Sequence, residues 1–330
     1  MRIDAFSEGK NLDDPEANED SFLVLPGRGY AVIDGVTDIT GCLYDGMRTG
    51  RLASRAVQRA AADFLTDLAE TERRPEALIE AASAALRAAY VRHGVLEEAR
   101  SEPARRFGAT LTVAADLGPT FRFIVIGDSG LRLNGLEMVV IDSGLDLVTA
   151  TLRQQAYGLV AEAGGDLGAQ RRVSRACSFH GVAQLHPDML PWLDGGRLAE
   201  LHKRSLAHCR VRFPRAPGSD IERLLDHGIS GQTRFQNNTA SPFSYATLDG
   251  FDVPLPLVRV FDRPRESLAT IELFTDGYFK LAAAPEFAAW EAAFAEVERV
   301  DPEKIDAYPS VKGSAGRVRT DDRTVVIVQL

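Results

Sequence analysis

The fold is decided by a run of short apolar segments, ATLTVAADLGPTFRFIVIGDSGLRL, at residues 109–133. Within this run, Ala109–Ala115, Phe121–Ile126 and Gly130–Leu133 have the composition of β-strands, and turns that contain Gly and Asp separate them. Strands that follow one another through such short turns pair antiparallel, because parallel neighbours need a long crossover connection. The run therefore predicts an antiparallel sheet and not a doubly wound βαβ chain.

A hairpin and two helices are predicted before this run. Ser21–Leu25 and Tyr30–Ile33 are predicted strands, joined by the turn sequence PGRG at residues 26–29. Arg48–Leu68 and Glu76–Glu97 carry Ala and Leu at helical spacing, with charged residues on the opposite face. Helices grouped together and strands grouped together are typical of an α+β fold.

A different pattern covers residues 151–238, which hold five of the six histidines and helical segments at Gly196–His208 and Ile221–Asp226. We interpret this stretch as a mostly helical insertion or flap within a single domain of residues 1–330. The other predicted elements are the strands Met138–Ile141, Leu255–Phe261, Ser267–Thr275 and Thr324–Gln329, and the helix Glu286–Arg299.

Composition excludes several classes of function. The chain has 47 acidic and 38 basic side chains and a net charge of -9, which argues against a general nucleic-acid binder and fits a site that collects cations. Three widely spaced cysteines indicate reduced thiols and no disulfide framework. We find neither a signal-peptide pattern nor an apolar run long enough for a membrane helix. We therefore expect a soluble cytoplasmic protein, and the sequence leaves its oligomeric state open.

Acidic residues stand at the ends of the predicted strands. Strands end on an aspartate next to glycine in AVIDG at Asp34, IVIGDSG at Asp128 and LFTDG at Asp276. The pair Asp321-Asp322 precedes the last strand, and Glu19-Asp20 precedes the first hairpin. Carboxylates that converge at strand ends repel one another unless cations neutralise them, and hard oxygen ligands suit Mg²⁺ or Mn²⁺. Since Asp-Gly is also a common turn signal, these residues alone leave a turn and a metal site both open.

Six pieces of sequence, taken in order, resemble the type 2C (PPM) metal-dependent protein phosphatases. They extend from Asn18 to Val328 and so span almost the whole chain. The pieces are NEDSF from residue 18, AVIDG from 31, GATLTV from 108, IGDSG from 126, LFTDG from 273 and TDDRTVVIV from 320.

The resemblance implies a four-layer α-β-β-α sandwich, in which helices flank two antiparallel sheets, and a centre of two Mn²⁺ or Mg²⁺ ions at one edge. It also implies that Asp34 bridges both ions and that Gly35 offers its carbonyl oxygen. Asp276 and Asp321 match the carboxylates on the first ion, so these two residues and Asp34 are the expected catalytic residues.

The resemblance further assigns an outer set of acidic residues. Glu19 and Asp20 match the pair that holds metal-bound waters, and Asp128 matches a ligand of a third, weaker ion. A second ligand of that ion is replaced here by Lys280. Because an ammonium repels a cation and can pair with Asp128 instead, we expect two ions and not three.

The chain departs from the family at the residue that clamps the substrate phosphate. The family has an arginine three residues before its Asn-Glu-Asp piece, where this chain has Pro15. The two later glycines of the family's Asp-Gly motif are replaced here by Thr37 and Asp38. A basic residue of the insertion could take over the clamp, because an arginine fork binds two phosphate oxygens together. The phosphate-binding candidates are Arg210, Arg212, Arg215 and Arg234.

The function implied by this resemblance is hydrolysis of phosphoserine or phosphothreonine in a partner protein by a metal-activated water. Two alternatives stay open at this stage. One is a phosphatase for a small phosphoester, enclosed by the insertion, and the other is a catalytically weak binding or regulatory module with the same fold. The intact acidic residues argue against the weak module, and the missing clamp arginine argues for it.

Overall fold

The computed structural model describes residues 1–37, 41–67, 69 and 73–330. The chain forms two compact units. The first unit consists of residues 1–142, 245–296 and 317–330, and the second consists of residues 143–244 and 297–316. All the acidic residues singled out above belong to the first unit.

The first unit is built on two antiparallel sheets of five strands each. The strands are β1 Arg2–Glu8, β2 Ser21–Leu25, β3 Gly29–Gly35, β4 Leu43–Tyr44, β5 Met47–Arg48, β6 Ala109–Asp116, β7 Thr120–Ile126, β8 Gly130–Leu133, β9 Glu137–Val139, β10 Arg259–Pro264, β11 Thr270–Phe274 and β12 Arg323–Gln329. Sheet I has the order β10-β7-β6-β3-β2, and sheet II has the order β1-β12-β11-β8-β9. The short strands β4 and β5 pair in a small ribbon.

Helices cover the outer face of each sheet. α1 (Thr49–Thr66) and α2 (Pro75–His93), followed by the short α3 (Leu96–Ser101), lie with sheet I, and α8 (Phe287–Val300) begins in the first unit beside sheet II. Trp290 of α8 is fully buried against this outer face. This arrangement confirms the predicted α-β-β-α sandwich.

The burial of β3 shows how alternation fixes these layers. Its residues Ala31 and Ile33 pack with α1 and α2, whereas Tyr30 and Val32 pack in the apolar core between the two sheets. Side chains of a strand point alternately to opposite faces, so a strand that is buried on both faces reads as a continuous apolar run. The sequence YAVI has this property.

The second unit is mostly helical. Its helices are α4 Leu145–Glu162, α5 Leu167–His180, α6 Gly195–Arg212 and α7 Gly218–His227. Buried Arg153 of α4 donates hydrogen bonds to the carbonyl oxygens of Glu303, Lys304 and Ser310, which fixes residues 297–316 to this unit. Among the described helices of the whole chain, none has the length and apolar composition needed to cross a membrane.

Several predicted elements differ from the observed ones. The helix predicted over Glu76–Glu97 is interrupted at Gly94, which ends α2 with a left-handed φ of 68°. The strand predicted over Leu255–Phe261 starts only at Arg259, because two prolines lie in VPLPL and residues 255–257 form a 3₁₀ turn. Strand β1 was not predicted. The predicted end of the first helix at residue 68 lies outside the described residues, as does Asp38 of the altered Asp-Gly motif.

Candidate metal centre

In sheet I, strand pairing sets Asp20 opposite Asp34. Ser21 of β2 pairs with Ile33 of β3, so the next pair along the same register is Asp20 with Asp34. On its other side Asp34 pairs with Thr110 of β6. The two carboxylates predicted from separate motifs therefore share one end of sheet I.

In sheet II, the same reasoning sets Asp128 opposite Asp276. Gly130 of β8 pairs with Phe274 of β11, so continuing the register by two residues brings Asp128 level with Asp276. Asp128 lies in the turn between β7 of sheet I and β8 of sheet II. This turn joins the two sheets at the end where the acidic residues lie.

Asp321 and Asp322 reach the same end just before β12. Phe274 pairs with Val325 of β12, which sets Gly277 opposite Asp322. The two backbones are so close here that a Cβ on Gly277 would lie 2.0 Å from the carbonyl oxygen of Asp322. Only glycine permits this approach, which holds the Asp321-Asp322 turn beside Asp276.

The electrostatics of Asp34 show that the carboxylates converge. Burial raises the pKa of Asp34 well above its ordinary value, and the negative charges of Asp20, Asp276, Asp321 and Asp128 raise it further. Like charges disfavour ionisation only when they lie close together in a poorly hydrated place. We name these five aspartates and Glu19 the acidic cluster.

Two oxygens of the acidic cluster test whether it fits a cation. Glu19 and Asp20 are 0% and 2% exposed, and among the described residues Glu19 Oε1 and Asp20 Oδ1 have no hydrogen-bond partner. Asp20 Oδ2, by contrast, accepts a hydrogen bond of 2.8 Å from Thr275 Oγ1. A buried carboxylate oxygen without a partner is costly, and a cation or its bound water would satisfy it.

The carboxylate oxygens of the acidic cluster therefore fit a hard divalent cation, although the side chains are not arranged as a complete set of metal ligands. Within the part of the chain that the structure describes, no three or more His, Cys, Asp or Glu side chains already surround a common metal position. Gly35 is buried at the end of β3 beside Asp34. The expected role of its carbonyl oxygen as a ligand stays a prediction, as do the individual metal-binding roles of Asp34, Asp276, Asp321 and Asp128.

Lys10 is the residue of this site that the sequence analysis missed. Its ammonium lies 2.9 Å from Glu19 Oε2, 3.0 Å from Asp322 Oδ2 and 3.2 Å from Asp321 Oδ1. Burial alone would lower the pKa of Lys10, but Asp321, Asp322 and Glu19 outweigh it and raise the pKa above its ordinary value. A positive charge is thus held among the acidic residues.

Lys280, which the resemblance predicts to stand in place of a family ligand, makes an ion pair with Glu296 of α8 at 2.5 Å. Both side chains are more than a third exposed, so the pair contributes little to stability. The sequence analysis did not predict this partner and suggested Asp128 instead.

The four arginines proposed to bind phosphate belong to the second unit. Arg210 and Arg212 lie in the last turn of α6, and Arg210 pairs with Glu222 at 3.1 Å. Arg215 follows α6, and Arg234 ends a 3₁₀ turn. Their role in phosphate binding stays a prediction.

Comparison with known proteins gives one family match and several structural likenesses. Residues 10–142 match the family model "Protein phosphatase 2C". Similar solved structures include the Mycobacterium tuberculosis serine/threonine phosphatase PstP/Ppp, with 19% identity, TM-score 0.42 and coverage of 100% of this chain and 98% of that one. The catalytic domain of PstP in complex with two manganese ions has 17% identity, TM-score 0.45 and coverage of 99% and 97%.

The Staphylococcus aureus serine/threonine phosphatase Stp1 has 11% identity and TM-score 0.45, with coverage of 100% of this chain and 95% of that one. These structural likenesses are weak, and no functionally curated protein matches the chain. The assignment therefore depends on the sequence match, which contains β2, β3, β6 and the turn at Asp128. The match over residues 10–142 shows that this part of the chain is similar to the protein phosphatase 2C family.

Proposed function

We propose that the chain is a metal-dependent phosphatase that hydrolyses phosphoserine or phosphothreonine in a partner protein. The observation that carries the proposal is the convergence of Asp20, Asp128, Asp276 and Asp321 on Asp34 at one end of the two sheets. Carboxylates that repel one another are costly to hold together at one point unless a cation neutralises them. The match of residues 10–142 to the family model "Protein phosphatase 2C" supports the reaction type.

The chain's own residues would divide the work at this site. Asp34, Asp276 and Asp321 would hold Mn²⁺ or Mg²⁺, which when bound activates a water and polarises the phosphoryl group. Glu19 Oε1 and Asp20 Oδ1, which have no hydrogen-bond partner among the described residues, would accept hydrogen bonds from water and orient it. Thr275, which donates to Asp20 Oδ2 at 2.8 Å, would fix the Asp20 carboxylate in that orientation.

A second candidate function is a catalytically weak regulatory module. The observation that favours it is Lys10, because an ammonium among the acidic residues already supplies part of the charge that a metal would bring. The two candidates differ in turnover, not in fold. Within the described part of the chain, we find no specific contact that favours a phosphatase for a small phosphoester.

Hydrolysis of p-nitrophenyl phosphate and of a phosphothreonine peptide, each with Mn²⁺ and with excess EDTA, tests the proposal. We expect metal-dependent hydrolysis of both, with the peptide preferred. Asp34→Ala should remove the activity, whereas the control Asp188→Ala, which changes an exposed aspartate of the second unit, should retain it. Mn²⁺ binding without hydrolysis would favour the regulatory module, and hydrolysis unaffected by EDTA would contradict a metal-dependent enzyme.

A further inference from the structure

Lys10 enters the acidic cluster because of the pairing of the first strand with the last. Glu8 of β1 pairs with Arg323 of β12, so the same register continued by two residues sets Lys10 opposite Asp321. The backbone is fixed there from both sides. The amide N–H of Lys10 donates to Asp322 Oδ1 at 2.6 Å, and its carbonyl oxygen accepts from the amide of Arg319 at 2.7 Å. Strand register and backbone hydrogen bonds therefore position the Lys10 backbone at this point of sheet II.

The hydrogen bonds of the ammonium show what Lys10 does there. An ammonium has three N–H donors, and the Lys10 ammonium has four oxygens within 3.2 Å: Glu19 Oε2, Thr37 Oγ1, Asp321 Oδ1 and Asp322 Oδ2. Thr37 in turn donates its hydroxyl to Glu19 Oε2 at 2.9 Å. No donor is left for a phosphate oxygen unless a carboxylate is released. Lys10 thus neutralises and hydrogen-bonds the acidic residues, and it does not replace the missing phosphate clamp.

The position of the charge has a consequence for metal binding. The ammonium forms an ion pair with Asp321, one of the carboxylates expected to hold an ion. It also forms an ion pair with the buried carboxylate of Glu19. An ion on the Asp321 side would stand next to a fixed positive charge and would compete for the same oxygens. The negative charges of Asp20, Asp276, Asp321 and Asp128 add together at Asp34, and of these Asp321 also contacts the Lys10 ammonium.

We propose that Lys10 is a built-in cation that takes the place of one divalent ion on the Asp321 side, so that the chain binds a single Mn²⁺ or Mg²⁺ ion near Asp34. This inference rests on the proposed metal centre and changes its stoichiometry from two ions to one. Lys10 is then a positioning residue that sets the number of metal ions.

The test counts bound ions. Metal-free protein is titrated with Mn²⁺ by calorimetry, and the bound metal is counted after equilibrium dialysis, for the wild type, Lys10→Met and the control Lys203→Met, an exposed lysine of the second unit. We expect one ion in the wild type and in Lys203→Met. Lys10→Met keeps the length of the side chain without its charge, and it should bind two ions, the second at least tenfold more tightly than any second ion in the wild type.

Two ions of similar affinity in the wild type would overturn the inference by themselves, and this result does not depend on whether Lys10→Met folds. So would one ion in a Lys10→Met protein whose thermal unfolding with Mn²⁺ is still cooperative. Lys10→Arg, which retains the positive charge, should still bind one ion. Two ions together with metal-dependent hydrolysis would refute only this inference, whereas no bound ion in any variant would refute the metal centre as well.

Discussion

Gly277→Ala is the change that tests most directly whether backbone approach builds the acidic cluster. The added Cβ would lie 2.0 Å from the carbonyl oxygen of Asp322, whereas ordinary contact begins at 3.4 Å, so the two must separate by roughly 1.4 Å. The obstacle is backbone and not a flexible side chain. The Asp321-Asp322 turn therefore has to move away from Asp276.

Two effects of different size should follow. Forcing a methyl group into a packed place costs roughly 1–3 kcal/mol of stability. A displacement on the order of 1 Å at a reactive site can cost about 100-fold in function. We therefore expect Gly277→Ala to stay folded, with a lowered melting temperature, while Mn²⁺ affinity and metal-dependent hydrolysis fall far more than stability does.

Thermal unfolding and calorimetric Mn²⁺ titration of the same samples separate the two effects. The matched control is Gly158→Ala in α4, where an added Cβ meets no atom within 4 Å. It should stabilise the helix by roughly 0.5–1 kcal/mol and leave Mn²⁺ binding unchanged. If Gly277→Ala bound Mn²⁺ like the wild type, the close approach at Asp322 would have no part in building the site.

Three further changes test other parts of the first unit. Asp34→Ala should abolish Mn²⁺ binding in calorimetry, and unchanged binding would refute its role as the central ligand. Glu272→Ala should lower the free energy of unfolding by about 3–5 kcal/mol in urea titration, because it leaves Arg132, which is 5% exposed, without its buried partner. A loss below about 1 kcal/mol would contradict this and show that water solvates the Arg132 guanidinium in the variant. Lys280→Asp should add one bound Mn²⁺ at Asp128, visible as an extra anomalous peak, and an unchanged ion count would contradict this.

The layers of the fold were predictable because their signals are local. Short apolar segments with brief turns determine antiparallel pairing, and apolar periodicity separates α1 and α2 from the strands around them. Asp34, Asp128 and Asp276 could be located for the same reason, since each lies at or within two residues of the end of a buried strand. Antiparallel neighbours joined by short turns then bring such strand ends to common edges.

Strand β1 was missed because its sequence RIDAFSE carries a weak signal. It lies at the edge of sheet II, none of its residues is fully buried, and charged residues alternate with small or apolar ones. Its partner β12 lies at the other end of the chain, and pairing over such a sequence distance leaves no local trace. Without β1, nothing in the sequence indicates that Lys10 lies opposite Asp321.

The same limit applies to Lys280. The resemblance to the family predicts the loss of a ligand at this position, but the observed partner of Lys280 is Glu296, which belongs to α8. Which residues of α8 face position 280 depends on how the helix packs on sheet II, through Trp290 and its hydrogen bond to Glu272. That packing is a property of the folded unit and not of the motif.

The position of Lys10 near the family motif does not by itself give its role in the site. The family pattern directs attention to Pro15, where the phosphate-binding arginine is absent, and a cation five residues earlier invites the conclusion that it is the replacement. The hydrogen bonds contradict that conclusion, because the N–H groups of Lys10 are already used by Glu19, Thr37, Asp321 and Asp322. If the chain binds phosphate tightly, the clamp must come from another residue, and alanine at one of Arg210, Arg212, Arg215 or Arg234 should then raise the Michaelis constant. If none of the four does so while Lys10→Met gains an ion, this chain has exchanged one metal ion for a lysine without restoring the clamp.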